Sequence, residues 1–511
     1  MNLKSILILT LNLLKNKKVA AVSSGRRRGK RVFYFSISLL FFLFHGLYPE
    51  SGISNFPPDP EKFPEIKAIK IKKLSLENEL KAYVIEDHRH PIVSVMIYFD
   101  LPPLPEGELA GLGIVTEKLL RYGTISRTKE VLDEELEEIG SSAEIQSGTI
   151  YSISLQKYSE KNLELISDIL INPKFTEDNL NKIKKEFLSL LDSEKNDSSA
   201  IMQKAVKKLL YGANHSYGEY PTESSIKKIT LNDCLYYYRT RFIPNYVHMA
   251  FVGDISTDEA NNLLNKYFAS WKKKEKAIVK FTPAKFPNST EIYFIDLPSA
   301  VQSSISFVNL TNVNYKSKLY FPSIVTNTIL GGDYFRLFIN LREKNGYTYG
   351  AYSSLNSDQN QGYFQVESDV KPEFTANAIA EIKNELDKIT SEMPTAEELQ
   401  RAKNYISGSF SISLEDPENL ALFAIRTAIY KLKKSHYKNY LRRIERVKLE
   451  DLHSSAKEFI RKDNGYFLVV GSAKQSLHLI KKKFPDKKII LMDKNGNILP
   501  ALRISPSKKS E

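Results

Sequence analysis

Three polar residues have side chains suited to peptide chemistry and stand in glycine-rich sequence settings. Glu117 lies in the segment GLGIVTEKLLRYGT, and Arg342 and Tyr349 lie seven residues apart in LREKNGYTYG. A carboxylate can act as a general base, a guanidinium can donate two hydrogen bonds to a peptide carbonyl, and a phenol can donate to a developing oxyanion. On residue type alone, the alternative is that Arg342 pairs with a nearby acid and Tyr349 packs on a sheet. The choice depends on the elements that position these residues.

The histidines and the cysteine give no metal-ligand set of their own. His88 and His90 stand two residues apart before a proline, in a segment typical of a surface turn, and nothing in the sequence supplies a third ligand. Cys234 is the single cysteine, so it can form neither an internal disulfide nor a cysteine-based zinc cage. We interpret it as a buried or idle thiol.

Strand-like and helix-like segments alternate along the chain after a proline-rich, polar linker at 50–63. The runs KAYVIED and IVSVMIYFDL have the composition and length of β-strands. Residues 177–191 and 200–211 carry apolar side chains at helical spacing. The alternation predicts an α+β protein.

Sequence matches recur in the same order at an offset of 216–219 residues. Thr176 matches Thr395, Tyr211 matches Tyr430, and AFVGDISTDEANNLLNKYF resembles LVVGSAKQSLHLIKKKF. This offset is too long for a solenoid repeat, so it indicates a duplicated domain in which each copy has its own core. The sequence therefore predicts two homologous α+β domains, each with a mainly antiparallel sheet and helices packed on one face.

The expected boundaries follow from these matches and from changes in composition. They are a leader and linker over 1–63, a first domain over 64–275, a lysine-rich linker over 276–288, a second domain over 289–498 and a polar tail over 499–511.

The segment from Gly111 to Thr124 resembles the zinc motif of the insulinase/pitrilysin metallopeptidase family, G-L-x-H-x-x-E-H-x-x-x-x-G-T, without a gap. In that inverted motif two histidines on one helix face bind zinc, and the glutamate is the general base. Here Ile114 and Lys118 stand at the two histidine positions, and only Glu117 matches. Isoleucine has no donor atom, and an ammonium group repels a divalent cation. The resemblance therefore implies a first domain that has lost its zinc site.

The remaining family positions do not restore a ligand set. The third zinc ligand that the resemblance implies, a glutamate further along the chain, would fall near Glu186, Ser193 and Glu194. Carboxylates without imidazole would hold zinc poorly. His215, in the run NHSYG, matches a family segment that is expected to serve packing rather than ligation.

The C-terminal half resembles the second domain of the same family in the runs PSAVQS, LGGDYFRL and LREKNGYTYG. In the family, an arginine and a tyrosine seven residues apart face the zinc site of the first domain, bind the substrate backbone and help to stabilise the tetrahedral intermediate. The resemblance places these roles on Arg342 and Tyr349, whereas Arg336 is expected to be structural. The whole resemblance covers residues 65–490.

The net charge of +13 is concentrated at the start of the chain. Nine of the 73 basic residues precede Glu50, and no acidic residue does, so 64 basic and 60 acidic residues remain from Glu50 onward. This part of the chain gives no electrostatic case for nucleic-acid binding. The basic run RRRGKR is followed by the apolar segment 32–48, which is the layout of a secretory signal. We expect export, to the periplasm or to a membrane-anchored position facing it. An uncleaved anchor, an organelle presequence and a start codon placed too far upstream are the alternatives.

These features predict a chain with no self-contained catalytic site and no bound metal. We favour the function of a substrate-binding subunit that completes the active site of a zinc-bearing homologous partner, in a heterodimer that acts on peptides. Such a chain resembles the non-zinc subunit of bacterial two-subunit members of the family and of the mitochondrial processing peptidase. Peptide hydrolysis is then expected only with that partner. The alternative is a non-enzymatic scaffold or peptide-binding protein. An independent peptidase with unrecognised ligands is disfavoured because both motif histidines are absent.

Overall fold

The computed structural model describes residues 70–500, all within the unit Ile66–Glu511. Six strands form the first sheet: β1 Lys72–Ser75, β2 Lys81–Glu86, β3 Ile92–Phe99, β4 Glu144–Gln146, β5 Thr149–Leu155 and β6 Val247–Gly253. Six more form the second sheet: β7 Glu291–Asp296, β8 Ser303–Thr311, β9 Thr348–Asn356, β10 Gly362–Val370, β11 Tyr466–Gly471 and β12 Ile489–Met492.

The two sheets share the order and direction of five strands. The first sheet has the order β1-β2-β6-β3-β5-β4, and the second has β12-β7-β11-β8-β10-β9. In each sheet one parallel pair, β2 with β6 or β7 with β11, is followed by three antiparallel pairs. The sixth strand differs, since β1 is antiparallel to β2 whereas β12 is parallel to β7. The predicted α+β class is confirmed.

Helices follow the strands in the same sequence in both halves. The first half contains α1 Leu112–Leu120, α2 Lys129–Glu138, α3 Ser159–Ile171, α4 Glu177–Glu194, α5 Ser198–Tyr211, α6 Glu223–Lys228, α7 Leu231–Arg241 and α8 Thr257–Phe268. The second half contains α9 Tyr320–Gly331, α10 Arg336–Phe338, α11 Thr375–Ser391, α12 Ala396–Ser413, α13 Pro417–Ile429, α14 Tyr440–Glu445, α15 Leu449–Phe459 and α16 Ala473–Lys483. A π-helical segment, Ile339–Lys344, continues α10. Short 3₁₀ turns lie at Gly107–Leu109, Gln156–Tyr158, Pro244–Tyr246 and Pro372–Phe374.

The local sequence predictions are confirmed where the structure describes them. The runs KAYVIED and IVSVMIYFDL contain β2 and β3, and the two segments with helical spacing fall in α4 and α5. Thr176 and Thr395, which match at an offset of 219 residues, are the N-caps of α4 and α12. Their hydroxyls accept hydrogen bonds from the backbone N–H of Asn179 and Glu398, at 3.2 Å and 3.1 Å. The repeated threonine therefore has a structural cause.

Each sheet packs its own helices on one face and receives a helix from the other half on the opposite face. Helix α5 packs against β8 and β11 of the second sheet, in a core that includes Ile201, Val206 and Val308. Helix α13 packs against β2, β3 and β6 of the first sheet, in a core that includes Met96 and Ala424. The sequence predicted helices on one face of each sheet, and the structure adds a helix from the other half on the second face. Neither half therefore covers both faces of its sheet alone.

The predicted leader and most of the predicted tail fall on residues 1–69 and 501–511, outside the described part. Among residues 70–500, no helix combines the length and apolar character that a membrane crossing needs.

Candidate functional site

The start of α1 is fixed by two glycines and one carboxylate. Gly111 has φ +101°, and a Cβ there would lie 2.7 Å from Cδ1 of Ile226, so only glycine fits. The carboxylate of Glu106 accepts hydrogen bonds from the backbone N–H of Gly111 at 2.6 Å and of Gly113 at 2.8 Å. Burial raises the pKa of Glu106, whereas the hydrogen bonds from these amides stabilise the ionised carboxylate and partly offset the shift. The first glycine of the motif therefore serves the fold.

The end of α1 is fixed in a similar way. Gly123 has φ +124°, which favours glycine. The buried hydroxyl of Thr124 donates to Oδ2 of Asp168 at 2.7 Å, and Nη1 of Arg127 donates to the same oxygen at 2.8 Å. The Gly-Thr pair that closes the motif thus holds the turn between α1 and α2.

The two histidine positions of the motif lie on the exposed face of α1. Ile114 and Lys118 stand one helical turn apart, and both side chains are exposed. Neither side chain offers an imidazole, so the donor chemistry of this face does not fit a zinc ion. No catalytic step can be derived through zinc on this chain.

Glu117 lies on the inner side of α1 and supports a hairpin. It is 8% exposed, and its Oε1 accepts a hydrogen bond from the backbone N–H of Gly148 at 2.8 Å. Ser147 and Gly148 both have positive φ and form the two-residue turn between β4 and β5. Burial raises the pKa of Glu117 to about 7, although the hairpin amides act against this shift. In this structure Glu117 positions edge strand β4.

The positions near the family's third zinc ligand are also engaged elsewhere. Glu186 accepts a hydrogen bond from the hydroxyl of Tyr122 at 3.0 Å. Glu194 forms an ion pair with Nζ of Lys204 at 2.7 Å, and Ser193 donates to a backbone carbonyl of its own helix. Within residues 70–500, no three His, Cys, Asp or Glu side chains come close enough together to hold a metal ion.

The three histidines that the sequence analysis considered, and the cysteine, have structural surroundings. Nδ1 of His88 lies 2.6 Å from Oδ1 of Asp254 in the exposed turn after β2, and this contact raises the pKa of His88. His90 is exposed in the same turn. His215 accepts from the backbone N–H of Tyr217 at 3.0 Å and lies among aromatic rings, as expected for packing. Cys234 is buried, which raises the pKa of its thiol to about 11.

In the second half, a close helix–strand contact positions β9. Helix α9 ends at Gly331, where a Cβ would lie 2.2 Å from the backbone N of Ser353 on β9. The missing side chain lets α9 approach the strand directly. This contact gives the LGG run a physical role, because β9 is the strand that carries Tyr349.

Arg336 locks the segment that follows α9. Its Nε and Nη2 donate to the two carboxylate oxygens of Glu398 at 2.6 Å and 2.8 Å, and both side chains are largely buried. A paired arrangement of this kind is the strong form of the arginine–carboxylate interaction. The structure agrees with the expectation that Arg336 is structural.

Arg342 projects from the π-helical segment that continues α10. The segment is held from inside by Asn340, whose side chain donates to Glu385 at 2.6 Å and to Glu381 at 3.0 Å. The guanidinium of Arg342 lies over the ring of Phe338, 4.8 Å from its centroid, and the side chain is 43% exposed. Its Nε lies 3.5 Å from a carboxylate oxygen of the exposed Glu343, so the two form an ion pair that is longer than an ordinary hydrogen bond. Short π-helical segments are frequent at functional sites.

Tyr349 projects from a β-bulge in edge strand β9. The pairing of β9 with β10 runs from Ala351 opposite Ser368 to Thr348 opposite Val370, so two residues of β9 face one of β10. Tyr349 is one of the two, and its side chain is 84% exposed. Bulges turn side chains away from the regular pleat and are common next to active sites. The alternative that Tyr349 packs on the sheet is therefore not what the structure shows.

The structure brings Arg342 and Tyr349 together. Nη1 of Arg342 donates to the backbone carbonyl of Tyr349 at 3.3 Å, while the phenol extends into solvent. The guanidinium of Arg342 thus contacts the backbone of the residue that carries the exposed phenol. Sequence reasoning did not identify the supporting Asn340, because its partners Glu381 and Glu385 lie more than 40 positions away.

Comparison with known proteins agrees with this architecture. Residues 228–406 match the family model described as "Peptidase M16 inactive domain". An uncharacterized zinc protease of Rickettsia felis is 25% identical over 318 residues, which are 60% of this chain and 75% of the relative. The non-peptidase homologue YmxG of Helicobacter pylori is 23% identical over 429 residues, covering 78% of this chain and 94% of the relative.

The fold is also that of a solved peptidase-type structure. The crystal structure of a peptidase M16 inactive domain from Pseudomonas fluorescens superposes with a TM-score of 0.72 and 22% identity, over 79% of this chain and 98% of that one. This chain shares the fold of that inactive domain, and the motif on α1 has no imidazole at either histidine position. Residues 228–406 therefore resemble the M16 peptidases in their inactive-domain form, and the similarity of fold extends over 79% of the chain.

Proposed function

We propose that this chain is a substrate-binding subunit that completes the active site of a zinc-bearing homologous partner. The observation that carries the proposal is the paired presentation of Arg342 and Tyr349 on the surface of the second half. A large phenol that is 84% exposed contributes little to the stability of the fold. Its position on a bulge beside a guanidinium is better explained by a role toward a bound peptide.

The two side chains offer different hydrogen-bond donors. The guanidinium of Arg342 has five N–H donors; within residues 70–500 Nη1 donates a hydrogen bond to the backbone of Tyr349, and Nε faces the Glu343 carboxylate at 3.5 Å. The remaining donors can bind a peptide carbonyl in a planar, two-point contact. The phenol of Tyr349 can donate to the oxygen that becomes negatively charged when the peptide carbonyl is attacked.

The first half supports this division of labour. Ile114 and Lys118 offer no zinc ligands, and Glu117 is engaged by the β4–β5 hairpin. Activation of water must then come from a second chain, which we propose to be a homologue with an intact H-x-x-E-H motif and bound zinc. The shared order of five strands also supports our proposal that the two halves arose by duplication.

We further propose that the chain acts outside the cytoplasm. The basic run and the apolar segment 32–48 form the layout of an export signal or membrane anchor. On this proposal, the heterodimer acts in the periplasm or at a membrane facing it.

The proposal is tested by separating the two chains and recombining them. The full-length chain and the zinc-bearing homologue from the same genome are each analysed for zinc content and for cleavage of an unstructured peptide mixture, alone and together. We expect far less than one zinc per molecule of this chain, no cleavage by it alone, and at least about tenfold faster cleavage by the mixture than by the homologue alone.

Two results would contradict the proposal. Near-stoichiometric zinc with cleavage by this chain alone would make it an independent peptidase. A stable complex that cleaves no faster than the homologue alone would favour a scaffold. Within an active complex, Arg342→Ala should raise KM and lower kcat. The matched control is Lys344→Ala, which alters an exposed lysine of the same π-helical segment and should change neither constant.

A further inference from the structure

A basic cavity lies in the second half, formed by the loop before α9, the loop after α13 and the α14–α15 segment. Its volume is about 650 Å³, within the range of small-ligand sites. Asp451 is its single carboxylate. The positively charged residues that line it are Lys316, Lys318, Lys431, Lys433, Arg443 and Arg446.

The positive charge of this cavity is not balanced within residues 70–500. None of the six cationic side chains lies within 4.0 Å of a carboxylate in that part of the chain. The Asp451 carboxylate accepts a hydrogen bond from the backbone N–H of Lys448 at 2.9 Å, at the start of α15. Six cations and one carboxylate leave a strong positive field in a concave site, which attracts multiply charged anions.

His436 adds a buried donor to the wall of this cavity. The side chain is 3% exposed, and Nη1 of Arg443 lies 3.4 Å from its Nδ1. A guanidinium only donates, so Nδ1 accepts and the proton of the neutral ring is on Nε2. Burial and the charge of Arg443 lower the pKa of His436 to about 4, which keeps the ring neutral at pH 7. Nε2 has no hydrogen-bond partner in the described chain, which is unusual for a buried donor.

In the corresponding cleft of the first half, lysines are paired with carboxylates of the chain. This cleft, of about 360 Å³, lies near α5 and α6 and contains Lys204, Lys208 and Lys228. Lys204 pairs with Glu194 at 2.7 Å, Lys228 pairs with Glu108 at 2.8 Å, and Lys208 donates to a backbone carbonyl at 3.1 Å. In the first cleft, two of the three lysines are paired with carboxylates and the third is hydrogen-bonded, whereas the six cations of the basic cavity have no carboxylate partner within residues 70–500.

A neighbouring basic cavity extends the positive surface. It has a volume of about 560 Å³, shares Lys431 with the first cavity, and is also lined by Lys70, Lys72, Lys73 and Lys434. Two adjoining basic cavities suit a ligand with more than one negative charge. Lysine ammonium groups and an arginine are the usual protein partners of phosphate oxygens.

We propose that the cavity around His436 and Arg443 binds a phosphate-bearing anion. The phosphate group can belong to a soluble molecule such as pyrophosphate or to the headgroup of an anionic phospholipid. The site is separate from Arg342 and Tyr349 in its lining residues, and it does not depend on the proposed peptidase partner.

The test uses the full-length chain and two double variants with equal loss of charge. Lys316→Gln with Lys433→Gln removes two exposed cations from the cavity, whereas Lys481→Gln with Lys482→Gln removes two exposed cations from α16. Calorimetric titration with pyrophosphate should show saturable binding to the unaltered chain. The cavity variant should bind at least about tenfold more weakly, and the α16 variant should change less than about twofold.

A second arm distinguishes the two sources of phosphate. Sedimentation with phosphatidylglycerol vesicles, compared with phosphatidylcholine vesicles, measures headgroup binding by the same three proteins. Saturable pyrophosphate binding that depends on the cavity supports a soluble ligand, and cavity-dependent binding to phosphatidylglycerol alone supports a headgroup. Absence of both, or equal weakening in both double variants, would overturn the proposal.

Discussion

The exposed face of α1 in the first half and the bulged strand β9 in the second differ in what they present to solvent. The first presents Ile114 and Lys118, which offer no imidazole to a zinc ion, and the second presents Tyr349 and Arg342, whose hydrogen-bond donors suit the peptide contact that we propose. Both surfaces are built on glycines that the backbone requires, at Gly111 and Gly331. The structural framework is thus present in both halves, whereas suitable reactive groups are present in one.

This difference separates two kinds of information in a family motif. The Gly-Leu and Gly-Thr ends of the first motif are explained by positive φ values, a buried hydroxyl and the packing of α1. They predict the fold and would do so in an inactive chain. The exposed positions between them would carry the zinc ligands, and here Ile114 and Lys118 offer no imidazole.

The largest expected effect concerns the glycine framework of the second half. Gly331→Ala should lower the free energy of unfolding by about 3 kcal/mol or more, because its Cβ would lie 2.2 Å from the backbone N of Ser353 and α9 must shift. The matched control is Gly408→Ala within α12, where a Cβ would meet nothing within 4 Å. It should stabilise the chain by about 0.5–1 kcal/mol. Urea denaturation measures both, and equal effects would contradict this reading of the LGG run.

A smaller effect is expected from the motif glutamate of the first half. Glu117→Ala should cost about 1–3 kcal/mol, because the buried N–H of Gly148 loses its acceptor. The exposed Glu138→Ala on α2 serves as the control and should stay within about 0.5 kcal/mol of the unaltered chain. If both variants unfold at the same denaturant concentration, Glu117 does not support the hairpin.

The raised pKa of Glu117 gives this glutamate a pH signature. With a pKa of about 7 instead of 4.5, the folded chain retains a proton between these pH values that the unfolded chain releases. The free energy of unfolding should therefore fall as pH rises from 4.5 to 7. Glu117→Gln should flatten this part of the stability profile, as followed by thermal denaturation. An unchanged slope in that variant would assign the pH dependence to other groups.

The smallest expected effect is on the stability of the second-half site. Tyr349→Phe should change the free energy of unfolding by less than about 0.5 kcal/mol, because the phenol is exposed and its hydroxyl supports no element of the fold. The same denaturation experiment measures it. A large loss of stability would show that the side chain is structural after all.

The sequence allowed the local elements to be predicted and drew attention to Arg342 and Tyr349, but it did not show how these parts are supported. Strands β2 and β3 follow from composition and run length, and helices α4 and α5 follow from apolar spacing, all of which are local properties. The bulge at Tyr349 depends on its register with β10, and the contact of Glu117 with Gly148 joins positions 31 residues apart. The packing of α5 and α13 on the opposite sheets is likewise non-local, because an apolar helix face does not specify which sheet will cover it.

The central claim is tested most directly by removing one hydroxyl from this chain in the reconstituted heterodimer. The turnover of a peptide by the complex is measured with Tyr349→Phe and with Tyr352→Phe, a control on the same strand, after size-exclusion chromatography confirms equal assembly. Loss of one oxyanion donor should lower kcat roughly 10²–10³-fold for Tyr349→Phe and leave Tyr352→Phe unchanged. Full activity of the Tyr349→Phe complex would contradict the proposal that this chain completes a partner's active site.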